Sequence, residues 1–214
     1  MNRVLPFLFL LFLYHSCTEP KNYDIIILNG TVYDGSLSNP ALLDIGIRGD
    51  KIVTLGSLAN QSATRVIDAS GLAVAPGFID LHAHLEPIFS LSDCESHIRQ
   101  GVTTSLGGPD GRGPVPFGVY IDSLSKKGVG MNVGFLVGHN TVRRKIMNLD
   151  NRAPTSSELE KMKNLVAQAM QEGAFGISTG LKYLPGNFSE IEEVIELSKE
   201  ASTGGGDLYF SFTR

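Results

Sequence analysis

Cysteine is scarce in this sequence, and that scarcity excludes one way of stabilising a fold. The 214 residues contain two cysteines. Cys17 lies at the end of an apolar leader, so Cys94 alone would remain in a processed protein and no internal disulfide framework is possible. We expect Cys94 to be a small buried hydrophobic residue.

An excess of positive charge is lacking as well. The formal net charge is -4 and the isoelectric point is about 5.7, so the chain has no broad basic field for nucleic acid or an anionic membrane surface. The hydrophobic fraction of 42% and the charged fraction of 19% are typical of a globular protein. A small molecule is therefore the expected partner.

Apolar runs long enough to cross a bilayer are absent, but a shorter one follows Arg3. It extends from Val4 to Tyr14 and is typical of the core of a signal peptide. The polar segment after Cys17 resembles the junction of a bacterial lipoprotein, in which Cys17 would be lipidated. We expect residues 1–22 to be an export leader and the protein to be periplasmic or lipid-anchored. Plain secretion and an uncleaved anchor remain open as alternatives.

Residues 23–76 consist of short apolar runs broken by turn residues. The pairs Asn29-Gly30 and Gly49-Asp50 each separate two such runs, and pairs of this kind favour tight turns between antiparallel strands. The sequence therefore predicts a small β-sandwich-like unit with hairpins at both pairs.

From Gly77 onward strand-like and helix-like segments alternate, which is typical of a parallel sheet with crossover helices. The expected strands are Phe78–Leu81, Val102–Leu106, Val133–Val137, Phe175–Ile177 and Asp207–Phe210. Capping boxes that begin with Ser92, Thr155 and Ser189 are expected to start helices. The pattern in residues 77–214 thus predicts an α/β fold. A complete TIM-like (β/α)8 barrel needs about 250 residues, so this segment is expected to form about the first half of one.

The strongest chemical signal lies in the first of these strands. His82 and His84 alternate along it, so both imidazoles point to the same side of the sheet, at the end where barrel enzymes keep their active sites. Two neutral imidazoles on one rigid strand suit a divalent metal. Asp80 faces the same way and is expected to orient one of these ligands.

Several motifs resemble, in order, the opening of the amidohydrolase superfamily: Ile27–Val32, Val66–Gly71 and Pro76–His84. Further along, three segments resemble the branch that deacylates N-acyl-D-amino acids: Gln100–Thr104, Val137–Asn140 and Gly173–Leu181. The similarity extends from Tyr23 to the last residue. The chain therefore resembles the N-terminal portion of the N-acyl-D-amino-acid deacylase (D-aminoacylase) family.

This resemblance implies a metal site. In the family the two histidines of the first strand bind metal, a cysteine after the second strand is a further ligand, and a histidine after the fifth is another. Asp110 stands at the cysteine position; it is either a ligand, because a carboxylate can replace a thiolate, or a turn residue in Pro-Asp-Gly. The implied cofactor is one or two divalent metals, with Zn2+ expected.

The fifth strand departs from the family pattern. Phe212 stands where the family has a ligand histidine, and phenylalanine cannot bind zinc. The family's late catalytic aspartate has no counterpart up to residue 214. His139 and Tyr183 resemble substrate-binding residues, with a structural histidine and a packed tyrosine as the open alternatives. The basic run Arg143–Lys145 is expected to be a solvated helix start, with attraction of a substrate carboxylate as the alternative.

Three functions follow as hypotheses. The first is a metal-dependent hydrolase of linear amide bonds that releases a D-amino acid and a carboxylate. The second is a truncated or frameshifted, catalytically incompetent fragment of such an enzyme, or one half of a split enzyme. The third, hydrolysis of cyclic amides, is weaker, because the dihydropyrimidinase type normally carries a carboxylated lysine on the fourth strand and this chain has Gly176–Thr179 there.

Overall fold

The computed structural model describes residues 22–36, 38–206 and 208–212. The expected leader, with the lipidation site Cys17, lies outside the described residues, as do Asp207, Thr213 and Arg214. The pattern of internal contacts divides the chain into two units between Pro76 and Gly77.

The first unit is one mixed five-stranded sheet. Its strands are β1 (Tyr23–Val32), β2 (Ala41–Arg48), β3 (Lys51–Gly56), β4 (Ala63–Asp68) and β5 (Ala73–Val74). The order is β3-β2-β1-β4, and β5 also pairs with β1. Strands β2 and β3 are antiparallel around Gly49-Asp50, so the hairpin expected there is confirmed. Strands β4 and β5 run parallel to β1.

The prediction of a hairpin turn at Asn29-Gly30 is wrong. Strand β1 continues through both residues, and its register with β2 shifts between Ile27 and Gly30. Asn29 has φ 61°, a left-handed conformation that asparagine tolerates better than most residues. A Cβ on Gly30 would lie 2.5 Å from the side chain of Val74. The pair therefore forms a bulge, because the packing of β5 beside β1 keeps the strand extended.

The second unit contains parallel strands. They are β6 (Phe78–Ala83), β7 (Val102–Gly107), β8 (Asn132–Phe135), β9 (Val137–Gly138), β10 (Gly176–Gly180) and β11 (Leu208–Phe212). Strands β6-β7-β8 form one ribbon and β9-β10-β11 another. Leu136 alone separates β8 from β9, so the strand expected at Val133–Val137 belongs to both ribbons. The order along the sheet is that of the first five strands of a (β/α)8 barrel.

Helices connect these strands: α1 (Glu95–Ile98), α2 (Phe117–Lys127), α3 (His139–Met147), α4 (Ser156–Gln171) and α5 (Ile191–Thr203). Helices α3 and α5 contact β10, and α4 contacts both of them. Buried Met162 and Val166 of α4 join Leu197 of α5 and Ile177 of β10 in one core. Among the described residues, each helix is too short or too polar to cross a membrane.

One of the three expected capping boxes is confirmed. The Thr155 hydroxyl accepts a hydrogen bond from the Glu158 amide, and the Glu158 carboxylate accepts one from the Thr155 amide. The boxes predicted to begin with Ser92 and Ser189 are wrong. Helix α1 begins after Cys94 and α5 begins after Glu190, and the side chain of neither N-cap residue accepts a hydrogen bond. Ser189 instead donates its hydroxyl to the carbonyl of Gly186 in a preceding 3-10 turn.

Candidate metal centre

Strand β6 presents both histidines toward one carboxylate. His82 is the penultimate residue of β6 and His84 follows its end. Nε2 of His84 lies 3.3 Å from Oδ2 of Asp110, and Nε2 of His82 lies 3.6 Å from Oδ1. The two rings meet edge to face, with centroids 5.6 Å apart. The alternation of the strand thus directs both imidazoles toward the same carboxylate.

Their atoms are spaced as metal ligands are. One donor atom from each of His82, His84 and Asp110 can be chosen so that all lie within 4.8 Å of one another. In a tetrahedral zinc site with bonds of 2.0–2.1 Å, donor atoms are separated by roughly 3.3 Å. Nε2 of His84 lies at that separation from Oδ2 of Asp110, and Nε2 of His82 lies slightly farther from the other oxygen, Oδ1.

Asp110 is the buried member of the cluster. Its side chain is 8% exposed, while each histidine side chain is 49% exposed. Oδ1 is buried and accepts no hydrogen bond from any described residue. A buried carboxylate oxygen without a donor is costly unless a cation or proton compensates its charge. The residues present therefore fit a divalent cation, with the histidine faces open to an incoming molecule.

Two further carboxylates hold the histidines in place. Oδ1 of Asp80 accepts a hydrogen bond of 2.9 Å from the backbone amide of His82. Oε1 of Glu86 lies 3.2 Å from Nδ1 of His84, which leaves Nε2 facing Asp110. Partial burial raises the pKa of Glu86, but hydrogen bonds from its own amide and from His84 outweigh this and leave it below its usual value. An ionised Glu86 orients the ring of His84 as carboxylates commonly orient metal-bound histidines.

The loop that carries Asp110 is fixed by strand β10. The hydroxyl of Ser178 donates to the carbonyl of Gly108 at 2.6 Å and accepts from the amide of Gly111 at 3.0 Å. Asp110 itself has φ 56°. A Cβ on Gly180 would lie 2.1 Å from the carbonyl oxygen of Asp110, so only glycine permits this approach. Asp110 occupies a turn and also faces the histidines, so the two interpretations of this residue are compatible.

Asn140, which the sequence analysis missed, connects several of these segments. Its amide nitrogen donates to the carbonyls of Gly180 at 3.0 Å and Tyr183 at 3.3 Å, and its oxygen accepts from the amide of Gly180 at 3.2 Å. Side-chain atoms of Asn140 also occupy the space that a Cβ on Gly111 would need. Its position beside His139 in the sequence was the available signal.

His139 is fully buried rather than open to a substrate. Its Nε2 lies 2.8 Å from Oε1 of Glu193, and its Nδ1 lies 3.3 Å from Oδ1 of Asn140. The guanidinium of Arg143 pairs with the same Glu193 and is also fully buried. The expectation of a solvated Arg143 is therefore wrong, because the carboxylate of α5 neutralises it inside the core. These contacts match the structural alternative for His139.

Tyr183 lies near the cluster but is partly covered. Its ring stacks on Phe212 with centroids 5.6 Å apart and planes at 18°. The guanidinium of Arg112 lies over it, 5.4 Å from the ring centroid. Phe212, at the position where a ligand histidine was expected, thus packs against Tyr183. The structure does not bring Tyr183 among the three metal-binding candidates.

Comparison with known proteins supports the sequence resemblance. The model of the amidohydrolase family matches residues 65–193. The D-aminoacylase of Alcaligenes xylosoxydans xylosoxydans is 35% identical; the match covers 89% of this chain and 44% of that protein. The chain thus spans under half the length of this relative.

Solved structures match in the same way. N-acyl-D-glutamate deacylase from Bordetella bronchiseptica, complexed with zinc and a phosphonate inhibitor, has a TM-score of 0.82 and 31% identity over 90% of this chain and 45% of its own. A D-aminoacylase described for its binuclear metal centre has a TM-score of 0.81 and 35% identity over 87% of this chain and 44% of its own. The chain therefore belongs to the amidohydrolase family, and it is similar to the N-terminal part of D-aminoacylases.

Proposed function

We propose that this chain supplies the divalent-metal site of an N-acyl-D-amino-acid deacylase, a hydrolase of linear amide bonds. The observation that carries the proposal is the convergence of His82, His84 and Asp110, whose buried Oδ1 accepts no hydrogen bond from any described residue. His82 and His84 would hold the ion from β6, and Asp110 would complete the set from the loop after β7. The similar deacylases that bind zinc or contain a binuclear centre support one or two ions, with zinc as the expected metal.

When bound, such an ion supplies Lewis acidity, which polarises an acyl carbonyl and lowers the pKa of water. The chain's own residues prepare the site for this. Glu86 keeps Nε2 of His84 directed at Asp110, Asp80 holds the backbone of His82, and Ser178 and Gly180 fix the Asp110 loop. Half-exposed histidine faces leave room for an N-acyl amino acid to approach.

Metal titration tests the site. We expect calorimetry to show Zn2+ binding by the chain, reduced at least about tenfold in affinity by His82→Ala or Asp110→Ala, because each removes one of three ligands. His97→Ala is the matched control, since His97 lies on α1 outside the cluster. Equal binding by all of these variants would refute the site.

A deacylase assay tests the reaction. The chain, and any longer product of the same reading frame, would be loaded with zinc and incubated with N-acetyl-D- and N-acetyl-L-amino acids. We expect release of the D-amino acid by the form that also contains a catalytic acid–base group, and loss of this release in His84→Ala. A longer, zinc-loaded product without D-selective release would contradict the proposed reaction.

A second candidate is a metal-binding chain without turnover of its own. It is favoured by Phe212, which stands at the histidine position and stacks on Tyr183. Exposed Phe78, Ile79 and Leu81 on β6 also offer an apolar surface prone to association. Deacylation by the 214-residue chain alone would exclude this candidate. Cyclic-amide hydrolysis has less support, because Ser178 of β10 is buried and bonded to the Asp110 loop.

Export of the protein is a separate proposal that rests on residues 1–22 alone. The apolar stretch before Cys17 and the polar residues after it support a lipoprotein leader. Labelled palmitate would then be incorporated in a bacterial host, and Cys17→Ser would abolish that incorporation. Incorporation by neither form would favour plain secretion or an uncleaved anchor.

A further inference from the structure

A cavity of about 530 Å3 lies beside the metal centre, between the segment that follows β6 and helix α2. Its walls are mainly carbon: Leu85, Phe89, Val115, Val119, Tyr120 and Phe135. The volume falls within the range of roughly 300–1,000 Å3 that is typical of small-molecule sites. The cavity is therefore large enough for a hydrocarbon group of several carbons.

The aromatic wall of this cavity is already packed. The ring of Tyr120 meets Phe89 edge to face at 5.1 Å and meets Phe135 in the same way at 5.2 Å. Burial, aided by the nearby Glu86, raises the pKa of Tyr120, so its hydroxyl stays protonated and the wall stays neutral. Edge-to-face pairs favour one arrangement of the rings, which means that the cavity exists before a ligand enters.

The cavity adjoins the metal centre through neighbouring residues, although His82, His84 and Asp110 do not line it. Glu86 lines it, and the same carboxylate lies 3.2 Å from Nδ1 of His84. Arg112 also lines it and follows Asp110 by two residues. A molecule whose carbonyl lies beside His84 and Asp110 would thus have one of its two ends at the mouth of the cavity.

The two ends of an N-acyl amino acid differ in charge. The amino-acid end always carries an ionised carboxylate, whereas the acyl end is uncharged when it is a simple hydrocarbon. Glu86 and Arg112 balance each other among the lining residues, so the cavity offers no net positive charge to a second carboxylate. Its carbon walls would leave such a group without solvation.

We propose that this cavity is the acyl subsite and that it selects N-acyl substrates with an apolar acyl group larger than acetyl, such as a medium-length alkyl chain. The inference rests on the proposed deacylase function, because it takes the scissile carbonyl to lie at the metal centre. Burial of one methylene is worth about 0.8 kcal/mol, so each added methylene increases affinity about fourfold until the cavity is filled.

Neutral alkyl amides test the subsite without requiring metal or turnover. Butanamide, hexanamide and octanamide would be titrated into the 214-residue chain by ligand-observed NMR. We expect affinity to rise roughly fifteen-fold for each two methylenes added. Ser123→Phe fills the cavity, since Ser123 lines it, whereas Ser125→Phe changes an exposed serine of the same helix that does not.

The subsite is supported if affinity rises with chain length in the unmodified chain. Ser123→Phe should then lower the affinity for octanamide at least about tenfold, and Ser125→Phe should change it by less than about twofold. Affinity independent of chain length, or equal loss in both variants, would overturn the acyl subsite. Zn2+ binding by the same variants separates the two proposals: retained zinc binding without chain-length dependence rejects the subsite alone. Chain-length dependence in a chain that does not bind zinc supports the cavity and rejects the metal site.

Discussion

Nε2 of His139 lies 2.8 Å from Oε1 of Glu193, and both side chains are buried. Arg143 pairs with the other oxygen of the same carboxylate and also donates to the backbone carbonyls of Asp150 and Arg152. Glu193 thus joins α5 to α3, and Arg143 joins α3 to the loop that precedes α4. Its charge compensates a guanidinium that has no access to water.

Glu193→Gln should destabilise the protein by about 3–5 kcal/mol, because it leaves the buried charge of Arg143 uncompensated. Urea unfolding measures this free energy. Glu192→Gln is the control, since Glu192 is the exposed neighbour on the same helix, and its effect should stay within about 0.5 kcal/mol. Equal stability of the two variants would contradict the role assigned to this ion pair.

Asn140→Ala should weaken metal binding although Asn140 lies outside the metal cluster. The substitution removes the bonds to Gly180 and Tyr183 and opens space beside Gly111, so the Asp110 loop loses its support. We expect a decrease of about 10- to 100-fold in Zn2+ affinity, as for other supporting contacts around metal ligands.

Asn132→Ala provides the matched comparison for that experiment. Asn132 is exposed and bonds to Thr103 in the neighbouring strand, away from the loop. Its zinc affinity should equal that of the unmodified chain. If both variants bound zinc with the original affinity, the Asp110 loop would not depend on Asn140.

Asp110→Cys should retain a metal site but change its preference. A thiolate is a softer donor than a carboxylate, so the ratio of Zn2+ to Mn2+ affinity should rise relative to the unmodified chain. Competition between the two ions, followed by equilibrium dialysis, measures the ratio. An unchanged ratio would mean that the side chain at position 110 does not contact the ion.

Glu158 should make stability depend on pH in the acid range. Hydrogen bonds from Arg152 and from the amide and hydroxyl of Thr155 hold the pKa of Glu158 well below its ordinary value of 4.5. A lowered folded-state pKa means that this contribution is fully present above about pH 4.5 and is lost as the pH falls toward the folded-state value.

The comparison of Glu158→Gln with the unmodified chain isolates that contribution. The difference in unfolding free energy between the two proteins should be present at pH 7 and should shrink as the pH falls below about 4.5. Glu160→Gln, which removes an exposed carboxylate from the same helix, is the control for the loss of one surface charge. A difference for Glu158→Gln that grows on acidification would contradict the assigned bonds.

Much of the fold followed from local pattern. The alternation in β6 and the box at Thr155 and Glu158 depend on residues close in sequence, and the structure contains both. Local pattern failed where distant strands or helices compete for the same residues. Asn29-Gly30 resembles a hairpin turn, but β5 pairs alongside and keeps the strand extended. Ser92 and Ser189 resemble caps, but each helix begins further along.

By itself the sequence determined that two imidazoles on one strand face the same side, because side-chain direction in a strand depends only on the alternation of residues. Only the tertiary structure decided which carboxylate meets them and which charges are buried. Asp110 reaches the histidines because Ser178 and Gly180, which are distant in sequence, hold its loop. Arg143 is buried because Glu193, on another helix, neutralises it. Contacts of such separation depend on chain packing, which no local pattern encodes.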